Sequence, residues 1–143
     1  MLSCHEIAQY FLSKVDEDAG DSISNLKLQK LVYYGQGFHL AVFDEPLFNE
    51  EIVVWQHGPV VVDLYHRYKK YGAGSIPPEE IDLEKYDPKL RELLDEVYSV
   101  YGQFSASKLR ALTHEEPPWK DTPLNFPIPH ELMKTYFKTQ ISA

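Results

Sequence analysis

Side chains with the chemistry for catalysis are few and scattered along this chain. His57, His66 and His114 are the set from which a small metal-dependent hydrolase would have to be built. Such a site needs about three protein ligands converging on one ion, and no two of these His stand at i, i+4 on one helical face with a third ligand close in sequence. Cys4 and His5 are adjacent but have no second Cys and no spaced His cluster, so zinc is not expected there. No phosphate-cradling G-x-x-x-x-G-K-[ST] or G-x-G-x-x-G string and no G-x-S-x-G elbow occurs. These residues leave enzymatic activity unsupported, with a small metal-dependent hydrolase around the three His as the alternative.

Recognition chemistry is better represented. Lys27 and Lys30 stand at i, i+3 beside Tyr34, a basic spot edged by an aromatic ring. A solvated helix face is the favoured account of the two lysines. His57 precedes Gly58 and Pro59, where a strand is expected to meet a helix N-terminus whose free amides attract anions. Trp119 lies among five prolines and is expected to pin that stretch to the core. The candidate partner-binding residues are Lys27, Lys30, Tyr34, Trp55, His57, Tyr65, His66 and Trp119.

Composition limits what can position them. With 143 residues, 43% of them apolar, the chain has room for one domain over 1–143 whose core holds without disulfides, which its single Cys could not form internally. A net charge of −8, concentrated in the first two thirds of the chain, repels phosphate backbones and favours a partner with a basic surface. A DNA-binding helix from Ser105 to His114 would have only Lys108 and Arg110 as its footprint. The chain opens without a basic region leading into an apolar run, and its apolar runs fall short of the ~18 residues of a membrane span, so a cytoplasmic location is expected. Ten Tyr, seven Phe and two Trp exceed what such a core obviously needs, and an acidic, Tyr-rich binding surface is expected.

The elements follow from apolar spacing. Ser3 and Glu6 form a capping-box pattern ahead of Ile7, Ala8, Phe11, Leu12 and Val15, one helical face. From Ser24 or Asn25 the segment through Val42 is apolar on most of its circumference and reads as a central helix. Gly35 and Gly37 inside it each cost ~1 kcal/mol relative to Ala, so another element should approach closely there, unless Gly37 ends the helix. Ile52 to Trp55 reads as a short strand pairing with Leu47 and Phe48, a hairpin near 47–56, and Pro59 as the start of the next helix. Residues 73–87 read as an acidic loop, Pro88 to Tyr101 and Ser105 to His114 as helices, 115–129 as irregular, and 129–140 as a last helix. The expected fold is mainly α (α+β), about six helices with a small β-hairpin.

The string Asn25-Leu26-Lys27-Leu28-Gln29-Lys30-Leu31-Val32-Tyr33-Tyr34-Gly35-Gln36-Gly37 resembles the opening helix of the Panacea domain, the family of SocA-like antitoxins and phage-associated proteins. Pro46-Leu47-Phe48, then Glu51, Ile52, Trp55, His57, Gly58, Pro59, Val60, Leu64, Tyr65, Tyr68, Tyr71 and Gly72 are similar to its strand and following helix, in order. Leu109, Leu112, Thr113, His114 and Trp119 are similar to its C-terminal pattern, so the resemblance covers about residues 23–120. His57, where an aromatic Tyr is common, and the acidic loop from Glu79 to Asp87 depart from it. The resemblance implies the antitoxin of a bacterial or prophage toxin–antitoxin pair, binding a cognate toxin protein, without cofactor or membrane.

Overall fold

The computed structural model describes residues 1–141. Ser3 accepts from the Glu6 amide at 3.2 Å and Glu6 returns a bond to the Ser3 amide at 3.0 Å, so the capping box forms and α1 runs Cys4–Ser13. Ser24 caps α2, Asn25–Phe43, through the Lys27 amide. Nearly every residue of α2 from Leu28 to Gly37 is buried, because α1, α3, α4, α5 and α7 all pack on it. Those partners are α3, Val62–Tyr68; α4, Pro88–Tyr101; α5, Ala106–His114; and α7, His130–Lys138, with a single turn, α6, at Pro117–Lys120. The mainly α class holds, with seven α-helices among the described residues. Among the described residues no helix is long and apolar enough to cross a membrane.

Gly37 does not end α2. A Cβ there would stand 2.2 Å from the Phe137 ring, so α7 lies against bare backbone at that point. Gly35 is roomier, its nearest neighbour being Leu94 at 3.5 Å. The helix instead stops at Asp44, which adopts φ +62° and pairs with Lys134 of α7.

The hairpin lies further along than its expected place. Its strands are β1, Val53–Trp55, and β2, Gly58–Val60, with Val54 opposite Pro59 and a turn at Gln56 and His57. Pro59 is therefore a strand residue, and the next helix begins three residues later at Val62. Leu47 and Phe48 do not pair with β1. The buried Gln36 amide takes both of their main-chain groups, accepting from Leu47 N at 2.6 Å and donating to Phe48 O at 3.0 Å. Gln29 does the same for the hairpin, accepting from Val61 N at 2.9 Å.

The other edge of β1 is filled by the proline-rich stretch. Val54 N donates to Phe126 O, Asn125 N to Val54 O, and Ile128 N to Ile52 O, with Val53 bridged to Pro127. The stretch is thus more ordered than its five prolines imply, since one helical turn and one pseudo-strand tolerate residues without amides. The acidic loop before α4 also reaches inward, burying Ile76 and Tyr86, whose hydroxyl donates to Glu6 O at 2.7 Å.

Candidate functional site

Most of the candidate residues gather round the hairpin. Trp55 is half-buried and meets the Tyr65 ring edge-on at 5.1 Å, and Tyr65 meets His66 at 5.9 Å. Trp119 donates its indole N–H to Trp55 O at 2.9 Å and stacks on His114 at 3.9 Å and 11°. It pins its loop as expected. His57 and His66 are exposed, the first in the hairpin turn instead of at a helix N-terminus.

His57, His66 and His114 do not bring their ring nitrogens together. Among the described residues the one set of three ligand-type atoms within 4.8 Å of one another is Cys4, His5 and Glu50. There Glu50 accepts from the Cys4 amide at 3.1 Å, and burial together with that carboxylate pushes the thiol up to about 12. Glu50 thereby caps the first turn of α1 from a loop 46 residues away. His114 is held below its ordinary value by burial and by Arg110, and its Nε2 is buried without a partner.

Lys27, Lys30 and Tyr34 do not form the expected solvated spot. Lys27 is half-buried and donates to Gly102 O at 2.6 Å, closing α2 onto the end of α4. Lys30 is 1% exposed. It lies beneath the hairpin at a place opened by Gly58, where a Cβ would come within 2.9 Å of Lys30 Cε and 3.2 Å of Thr113 Oγ1. Gly58 has φ +122°, a conformation L side chains avoid. Gly58→Ala is accordingly expected to lower stability by about 1–3 kcal/mol in urea unfolding, chiefly through backbone strain.

Tyr34 is fully buried, stacked on Tyr101 at 3.8 Å and 8°. Its hydroxyl donates to Glu116 at 2.8 Å, and Tyr33 donates to the other oxygen at 2.9 Å. Burial pushes Glu116 up to about 7 despite these donors and a third contribution from Tyr136. Sequence reasoning missed Glu116 because Glu115-Glu116-Pro117-Pro118 looks like solvated loop. The signal was there in the Tyr count. Tyr10, Tyr33, Tyr34, Tyr68 and Tyr86 are buried and Tyr65, Tyr71, Tyr98, Tyr101 and Tyr136 half-buried, so the tyrosines serve the core first. Asp95, Glu79 and Glu116 accept from Tyr10, Tyr68, Tyr33 and Tyr34, which places part of the acidic excess in service of the core.

A cleft of about 210 Å³ opens beside the hairpin turn, lined by Leu26, Lys30, His57, Ala106, Ser107 and Arg110. Together with Trp55, Tyr65, His66 and Trp119 it makes one end of the molecule aromatic and locally basic, on a chain that is acidic as a whole. Such a face is equipped to bind and carries no paired nucleophile and base.

Antitoxin SocA of Caulobacter vibrioides (strain NA1000 / CB15N) is 31% identical over an alignment 109 residues long that covers 68% of this chain and 58% of that protein. The chain thus matches little more than half the length of this curated relative. No solved structure matches. The family model described as antitoxin SocA-like, Panacea domain, matches residues 28–120, from the middle of the first turns of α2 to the end of α6. With the packing of α2, the hairpin and Trp119 all inside that span, the chain belongs to the SocA-like Panacea domain family.

Proposed function

We propose that this chain is an antitoxin that neutralises a cognate toxin by direct protein–protein binding, as a single cytoplasmic domain without enzymatic activity. The observation that carries the reading is the family match across residues 28–120, supported by the likeness to a protein named as an antitoxin. The face round the hairpin is the contact surface. Trp55, Tyr65 and Trp119 are the aromatic anchors, since large rings in partly exposed positions supply most of the energy of such interfaces. His57 and His66 stand at its exposed edge and Lys30 beneath it, while Tyr34, one turn further along α2, is committed to the core. The acidic remainder of the molecule favours a toxin of basic overall charge, the locally basic hairpin face takes up a less basic part of it, and the toxin is silenced by being covered.

The test is co-expression with the gene encoded beside this one. The neighbouring product alone should arrest growth, and this chain should restore it. A harmless neighbour, or arrest that persists in the presence of this chain, overturns the reading. Trp55→Ala is expected to weaken toxin binding about thirtyfold, the ~2 kcal/mol of an interface hot spot, in titration calorimetry of a variant whose helical circular dichroism is unchanged.

A further inference from the structure

Lysine side chains usually carry their ammonium to water, and Lys30 does not. Among the described residues no hydrogen-bond acceptor is paired with it and no carboxylate forms an ion pair with it. Its nearest charged neighbour in effect is another cation, Arg110, and burial together with Arg110 holds its pKa down to about 8. Lys30 is 1% exposed and lines the cleft beside the hairpin turn, so what its ammonium can reach is the cleft, where an anion would be its counter-charge.

The cleft that Lys30 lines supplies the rest of a site. Ala106 and Ser107 are the first two residues of the nine-residue α5, whose amides at those positions have no acceptor within the helix. The Ser105 hydroxyl takes the Lys108 amide and leaves the other two. The first turn of α5 thus borders the same cleft as Lys30, within reach of the positive end of the helix dipole. Arg110 and His57 stand at its exposed rim. Leu26 and the Ala106 methyl complete the wall, and no Asp or Glu is part of it. His114 feels Lys30 and Arg110 as positive neighbours and Glu115 as a negative one.

We infer that this cleft binds an oxyanion, a carboxylate or phosphate group, held between the Lys30 ammonium and the first-turn amides of α5 and closed over by Arg110 and His57. The inference goes beyond the antitoxin reading and does not depend on it. Two sources carry that chemistry: an acidic side chain or C-terminal carboxylate of a bound polypeptide, and free or ester phosphate.

The experiment is a ¹H–¹⁵N titration of the full chain at constant ionic strength with inorganic phosphate, with acetate, and with an N-acetylated tripeptide ending in a free carboxylate, its amidated form serving as control. Saturable shifts centred on the Ala106 and Ser107 amides are expected, with none from the amidated peptide. Lys30→Met, which keeps the length of the side chain in an apolar form, should weaken binding about tenfold or more, the loss of one charge-assisted hydrogen bond. Arg110→Gln changes an exposed residue, leaves folding intact, and should weaken it up to about fivefold. Binding in either the phosphate or the carboxylate arm supports the site, and the tighter arm names the source. Shifts that stay linear without saturating, or that are the same in both variants as in the parent chain, overturn it.

Discussion

Phe137→Ala is expected to lower the unfolding free energy by about 3–5 kcal/mol, the range for deleting a buried aromatic ring. Phe137 is fully buried and packs edge-on against Tyr33 at 5.5 Å, Tyr34 at 6.0 Å and Phe38 at 4.9 Å, so its loss strips one side of three other rings. The ring also occupies the space that Gly37 leaves open. Gly37→Ala should therefore run against helix propensity. In a solvated helix the change stabilises by ~1 kcal/mol. Here the methyl would meet the ring at 2.2 Å, and overpacking of this kind costs about 1–3 kcal/mol or more. Urea unfolding of Gly37→Ala, Phe137→Leu and the double variant checks the geometry. The smaller leucine should recover part of the Gly37→Ala loss, and simple additivity of the two would show that α7 does not sit against Gly37.

Glu116 is expected to make stability fall as pH rises, the reverse of an ordinary carboxylate in an ion pair. Its folded pKa is raised from 4.5 to about 7 by burial. Below about pH 4.5 the group is protonated in both states and contributes no penalty. Between that value and about 7 the unfolded chain gives up the proton while the fold retains it, so stability drains across this window and levels off above it. At ~1.36 kcal/mol per pKa unit the whole change is about 3 kcal/mol. Other groups act oppositely: the Ser3 amide holds Glu6 below the usual carboxylate range, for example. The contribution of Glu116 is isolated as the difference between the parent chain and Glu116→Gln, which keeps an oxygen for the tyrosines but does not titrate. That difference should move in favour of the glutamine variant by about 3 kcal/mol between pH 4.5 and 7.5. A flat difference would mean that Glu116 is solvated. Glu116→Leu instead orphans the hydroxyls of Tyr33 and Tyr34, at about 1–3 kcal/mol each.

What was legible in the sequence is what local spacing decides. The capping box at Ser3 and Glu6, the all-round burial of α2, the start of α4 at Pro88 and the pinning role of Trp119 are each written within a few residues, and each is realised. What escaped depends on contacts across the chain. Pro59 sits equally well in a strand edge and at a helix start, and only the pairing of Val54 opposite it decides between them. Leu47 and Phe48 have the composition of a strand, yet a glutamine eleven residues away takes their amide and carbonyl. The site divides in the same way. Exposed His57 and half-buried Trp55 are where their types suggest. Lys30, polar at a helical position three residues from another lysine, reads as surface by any periodicity, and its burial requires the hairpin to fold over it at Gly58.

The short sheet has a consequence for how any other polypeptide meets this molecule. Exposed strand edges invite further strands, a common route both to peptide capture and to aggregation. Here one margin of the hairpin is occupied by residues 125–128, with Pro127 in the ladder, and the other contains Pro59 and rests on the central helix. Neither margin offers a free run of main-chain donors. Strand addition to the hairpin is thus closed to another polypeptide, and copies of the chain lack a template there on which to grow fibres.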